Sequence, residues 1–201
     1  MEELKNLHSA VLLGYFLTYF IVAFLGRSLM VWRMTGINPY VLSKDDTAHG
    51  YVGKAMRGLL LTILILVVGL TLRPDLTAKL GPLGAFSGTQ LLGWTLLLAS
   101  LLWIAAAQAA MGPSWRIGID SASLTPLVMN GPFAVSRNPI FLGMRLNLLG
   151  LFLVLPNAVT LTVLVAGELL MQIQVRLEED FLSGTHGPAY THYRQHVRRW
   201  L

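Results

Sequence analysis

Three stretches of this chain bring together residue types that could do chemistry. GPFAVSRNPIFLGMR at 131–145 carries Arg137 and Asn138 to the start of an apolar run and places Arg145 inside it. RLEEDF at 176–181 holds the adjacent carboxylates Glu178 and Glu179, which on a helix point about 100° apart. HGPAYTHYRQHVRRWL at 186–201 mixes Tyr190, Tyr193, Arg194 and three histidines with a basic finish. Carboxylates suit cations and hydroxyls, and guanidinium groups suit carboxylates and phosphates. His186, His192 and His196 lack the spacing of an HExxH-type site, so no metal is expected, and the basic, aromatic terminus suits anionic headgroups. The chain has no cysteine, so disulfides, thiolate metal sites and cysteine nucleophiles are excluded. There is no Walker loop, GxGxxG or GxSxG pattern either.

The elements that must position these groups are membrane helices. Of the 201 residues 54% are hydrophobic and 12% charged, too apolar for an ordinary soluble domain. The net charge of +5 is spread between apolar runs, which points to juxtamembrane charge and away from nucleic acid. The acidic N-terminus, MEELKNLH, is unlike a signal peptide, so the run after it reads as a retained span. Spans are expected over about 9–31, 57–72, 90–111, 139–155 and 157–176. The second and fourth are short, calling for a thinned bilayer or for shielding by neighbours. With the N-terminus outside, only Lys5, Arg73 and Lys79 of the 15 Lys and Arg fall outside. The expectation is one all-α membrane domain over 1–201, with five spans, the N-terminus out and the C-terminus cytoplasmic. The long polar segments 32–56, 112–138 and 177–201 then share the cytoplasmic side, where a site can converge. Residues 1–89 form an N-terminal part and 90–201 the core that bears the site.

Within that core, Pro139 suits a first helical position and Asn138 a cap. Pro156-Asn157 closes a hairpin between the last two spans. Arg145 precedes Asn157 by 12 residues and Glu168 follows it by 11, so both lie at nearly one depth and should pair or share a polar pocket. Glu168, Gln172, Arg176 and Glu179 share one face of the last span. For Glu178 and Glu179 two readings stand. Either they form a solvated helix end with Arg176 paired to Glu179 or Asp180, or one of them faces inward on a ligand. His49 with Asp45 and Asp46 reads as a solvated loop.

The order and spacing of GPFAVSRNPIFLG, RLEEDFL and HGPAYTHYRQHV, with GPSWRIGID before them, resemble the isoprenylcysteine carboxyl methyltransferase family, whose broader group includes phospholipid methyltransferases. The likeness covers about 91–197. Asn138 stands where that pattern has histidine, Phe141 where it has tyrosine, and His186 where it has phenylalanine. The resemblance implies methyl transfer from S-adenosylmethionine to a lipophilic acceptor, such as a prenylated carboxylate, an isoprenoid thiol or a phospholipid, with the site on the cytoplasmic side. It assigns Val128, Gly131, Pro132, Phe133, Asn138, Pro139, Phe141, Gly143, Glu178, Glu179 and Tyr190 to the cofactor, and Arg137 and Asn138 to catalysis, Arg137 steering an anion. Arg137, Arg145, Glu168, Tyr193, Arg194 and His196 fall to the acceptor. Two other readings remain open: an NADPH-dependent reductase of the sterol-reductase type, and a non-enzymatic lipid-binding membrane protein.

Overall fold

Seven helices carry the chain in the computed structural model, which describes residues 2–40, 46–84, 88–118 and 125–201. They are α1 (Glu2–Phe20), α2 (Arg27–Thr35), α3 (Ala48–Leu72), α4 (Thr89–Met111), α5 (Pro139–Val154), α6 (Ala158–His186) and α7 (Pro188–His196). Among the described residues there is no β-strand, only the isolated bridges Tyr40 to Ile117 and Pro82 to Asn157. Asp45 and the middle of the 112–138 segment lie outside the described residues.

Among the described residues, four helical stretches are long and apolar enough to cross a membrane: Leu7–Thr35, Ala48–Leu72, Thr89–Ser114 and Ala158–His186. α5, apolar but only 16 residues long, is shorter. Two boundaries differ from the sequence expectation. The second span starts at Ala48, capped by the Thr47 hydroxyl accepting from the Gly50 N–H, so Lys54 and Arg57 ride on its first turns. The last runs ten residues past 176, taking Glu178 and Glu179 onto a continuous helix. In both cases a helix continues after its hydrophobic period ends, because backbone pairing does not require apolar side chains.

α1 and α2 form one rod joined by a π-helical turn at Ile21–Gly26. A π turn displaces a carbonyl from its usual partner. Here the buried Gln108 amide on α4 donates to the Ala23 carbonyl at 2.8 Å. Glycines let α4 and α5 approach closely. A Cβ on Gly143 would stand 2.4 Å from Ile104, and one on Gly150 would stand 2.9 Å from the Gly93 carbonyl. Small residues at such contacts are how membrane helices gain packing where burial offers little driving force. The apolar core joins Leu12, Phe16, Ile63, Leu97, Leu151 and Met171 from five helices. Beside it the Tyr15 hydroxyl lies 2.7 Å from both the Leu97 carbonyl and Asn147 Oδ1.

The α5–α6 hairpin forms as expected. Asn157 caps α6 by accepting from the Thr160 N–H at 3.0 Å, and Leu83 N–H donates to the Pro156 carbonyl at 2.9 Å. The opposite end of the bundle gathers the start of α5, the far end of α6, and α7.

Candidate active site

At that end Glu179 is the centre. It is 3% exposed, and both its oxygens are occupied. Oε1 accepts from Arg137 Nε at 3.3 Å and Nη2 at 3.1 Å, from Asn138 Nδ2 at 3.0 Å, and from Arg199 Nε at 3.1 Å. Oε2 accepts from Arg199 Nη2 at 2.8 Å and Nε at 3.2 Å. A buried carboxylate needs such compensation, since an unpaired charge there is far costlier than a paired one. The solvated-helix-end reading of this residue is therefore overturned. Arg176 does not pair with Glu179 or Asp180; it donates back to Gln172 at the carbonyl and at Oε1.

Arg137 serves as a clamp. Its Nη1 donates to the carbonyls of Arg194 at 3.2 Å and Val197 at 2.7 Å, so Nε, both Nη1 protons and one Nη2 proton are engaged. With its side chain only 8% exposed, it faces Glu179 and the end of α7 instead of offering an open guanidinium to an anion. Asn138 does not cap α5 with its side chain; both of its amide protons go elsewhere, to Glu179 and to the Arg199 carbonyl at 3.3 Å. Ser136, fully buried, accepts from the Asn138 N–H and donates to the Arg199 carbonyl. Tyr193 donates its hydroxyl to the Phe133 carbonyl at 2.6 Å, pinning α7 to the turn Gly131–Ala134.

Next to this cluster two polar groups have capacity to spare. The Tyr190 hydroxyl, on a residue 1% exposed, has no hydrogen-bond partner among the described residues. Burial, and then the charge of Glu179, push its pKa up to about 12, so at neutral pH it is a protonated donor. Glu178 Oε1 accepts from Gln174 at 2.9 Å, the one side-chain bond it makes among the described residues.

The remaining residues divide. Gly143 lies against Ile104 and Trp103, and Phe141 packs on the apolar core, so both take part in helix packing. Pro139 is buried, its carbonyl accepting from the Trp103 indole at 2.9 Å. Gly131 has a φ of 58°, which glycine adopts without strain, and Pro132 and Val128 are half-buried on the same segment. The side chains of Arg194 and His196 lie on the exposed face of α7, and no metal-binding group forms among the described residues. Deeper in the bundle, Arg145 Nε meets Glu168 Oε2 at 2.6 Å, the pairing expected from their equal distance to the hairpin. The Trp200 ring lies 4.2 Å from the Arg145 guanidinium. Sequence reasoning missed Ser136, Arg199 and Trp200; the basic Arg-Arg-Trp finish was the available signal, and it read as headgroup contact.

Residues 89–189 match the phospholipid methyltransferase family, 101 positions of 201 and so just over half the chain. The chain belongs to that family. In this phospholipid methyltransferase-family protein, Arg137, Asn138, Glu178 and Glu179 lie inside the matched region. Tyr190, Tyr193, Arg199 and Trp200 lie beyond it. No curated protein gives a significant match.

Proposed function

We propose that this protein transfers a methyl group from S-adenosylmethionine to a lipophilic acceptor at the cytoplasmic face of the membrane. In this reading it spans the membrane five times, α5 being the short span, with its N-terminus outside. The observation that carries the proposal is the orphaned, buried Tyr190 hydroxyl beside the Arg137–Glu179 cluster. A buried donor without a partner costs about 1–3 kcal/mol, a cost that a bound ligand removes. The residues fit this cofactor. Glu178 has an oxygen left for its ammonium or ribose hydroxyls, Tyr190 a hydroxyl for a polar edge, and the exposed Gly131 lies at the rim.

When bound, the cofactor supplies a methyl already activated on a sulfonium. What this chain must then do is orient and exclude water. Arg137 and Asn138 hold Glu179 still and thereby set the angle of α6, on which Glu178 sits. Tyr193 holds the rim turn. For the acceptor, a cavity of about 30 Å³ between α1, α3, α5 and α6 is lined by Phe16, Tyr19, Ile63, Asn147 and Met171. Asn147 follows Asn138 by nine residues and Met171 precedes Glu179 by eight, so at about 1.5 Å per residue the cavity lies about 12–14 Å deeper than the cluster. A carboxylate acceptor arrives ionised, whereas an amine must first lose a proton.

Binding tests the proposal directly. Purified protein in detergent should bind S-adenosylmethionine or its demethylated product, and Glu178→Gln and Tyr190→Phe should each weaken that binding. Absence of binding at millimolar cofactor, or a preference for NADPH in the same thermal-shift assay, would overturn it. Radiolabelled methyl offered with an aminophospholipid or with a prenylated carboxylate then identifies the acceptor class.

A further inference from the structure

Val197–Leu201 lies beyond the region that matches the family, yet it is threaded through the charged cluster. The Arg137 N–H donates to the Arg198 carbonyl at 2.9 Å, and Ser136 and Asn138 both donate to the Arg199 carbonyl. The Arg199 side chain returns to Glu179 as a fork and is, among the described residues, the partner of Oε2. Backbone and side chain of one residue thus hold the start of α5 and the far end of α6 together. One position further on, Trp200 covers Arg145 of the intramembrane pair. We infer that Arg199 is a positioning residue of the transfer site, fixing Glu179 so that Glu178 and Tyr190 meet the methyl donor in a set geometry. This rests on the functional reading above.

The physical reason lies in helix geometry. Glu178 and Glu179 are neighbours on α6, so whatever fixes the direction of one fixes the other about 100° away. Without Arg199, Oε2 becomes a buried oxygen with no donor, and the carboxylate must rotate or take a proton. α6 and the α5 start then lose their shared brace, and Glu178 turns with the helix. Lysine keeps the charge but lacks the planar fork that engages both oxygens.

The test pairs donor binding with amide exchange. Arg199→Ala should raise the Kd for S-adenosylmethionine and for its demethylated product about ten-fold. Arg199→Lys should recover part of this, and the exposed Gln195→Ala none of the loss. In turnover, the KM for the donor should rise by more than kcat falls. Exchange of the Arg137 and Asn138 amides should quicken in Arg199→Ala. Where Arg199→Ala does not fold, Arg199→Lys carries the same test, with an intermediate rise in Kd expected. Wild-type donor affinity in folded Arg199 variants overturns the inference. So does tighter binding, which would make Arg199 a self-ligand blocking Glu179. If the wild-type protein binds no donor, the functional reading falls, and the exchange at Arg137 alone decides the brace: unchanged exchange overturns it.

Discussion

Glu178 and Glu179 differ in what they have left to give. Glu179 has both oxygens committed to Arg137, Asn138 and Arg199, while Glu178 has one side-chain bond, to Gln174. Glu179→Gln should therefore strand two arginines and cost about 3–5 kcal/mol of stability, read as a lowered melting temperature in detergent. Glu178→Gln should melt near wild type while weakening donor binding. The Arg145–Glu168 pair calls for a cycle: Arg145→Met alone strands a carboxylate in the membrane at a cost of at least about 2.5 kcal/mol, and adding Glu168→Leu should restore most of it. That pair was legible in the sequence because a helical hairpin makes depth a matter of counting from its turn. Glu179's partners were not. Arg199 reaches back only because Gly187, at a φ of 52°, turns α7 away from the line of α6, and nothing in spacing alone gives that direction.

α4 and α5 make the closest helix contact, and its determinants are absences of side chain. Gly143→Ala would drive a methyl to 2.4 Å from Ile104 and should destabilise by about 1–3 kcal/mol in thermal melts. Gly14→Ala on α1, where a Cβ meets nothing within 4 Å, should be neutral or slightly stabilising. The resemblance assigns Gly143 to the cofactor, and the structure adds its close packing against Ile104, a role with no signature in a single sequence. Helix existence was readable from apolar runs, and the α5–α6 hairpin from Pro156-Asn157. Helix ends were not, because α3 and α6 extend into polar sequence. The π turn at Ile21–Gly26 was equally hidden, since its sequence is an unbroken apolar run. Gln108 on another helix donates to the Ala23 carbonyl in that turn, so Gln108→Leu should remove a buried hydrogen bond and lower the melting temperature.

Over the whole molecule the two ends are unlike: one carries short turns at Pro74–Lys79 and Pro156, the other the charged cluster and α7. The chain has no cysteine, so single introduced cysteines report sidedness cleanly. Lys79→Cys should react with an impermeant maleimide from outside the cell, and Gln195→Cys only after the membrane is opened; the reverse result would invert the proposed orientation. α5 spans about 24 Å by its 16 residues, against about 30 Å of hydrocarbon. α6 continues seven residues, about 10 Å, beyond Glu179. The cluster therefore sits recessed between longer neighbours. On the proposed function, a lipid acceptor would reach it while remaining in its leaflet, and the water-soluble donor would have to descend. The energetic burden of meeting would then fall on hydrating a dimple in the bilayer, not on extracting a lipid, and turnover should fall as the host membrane is made thicker.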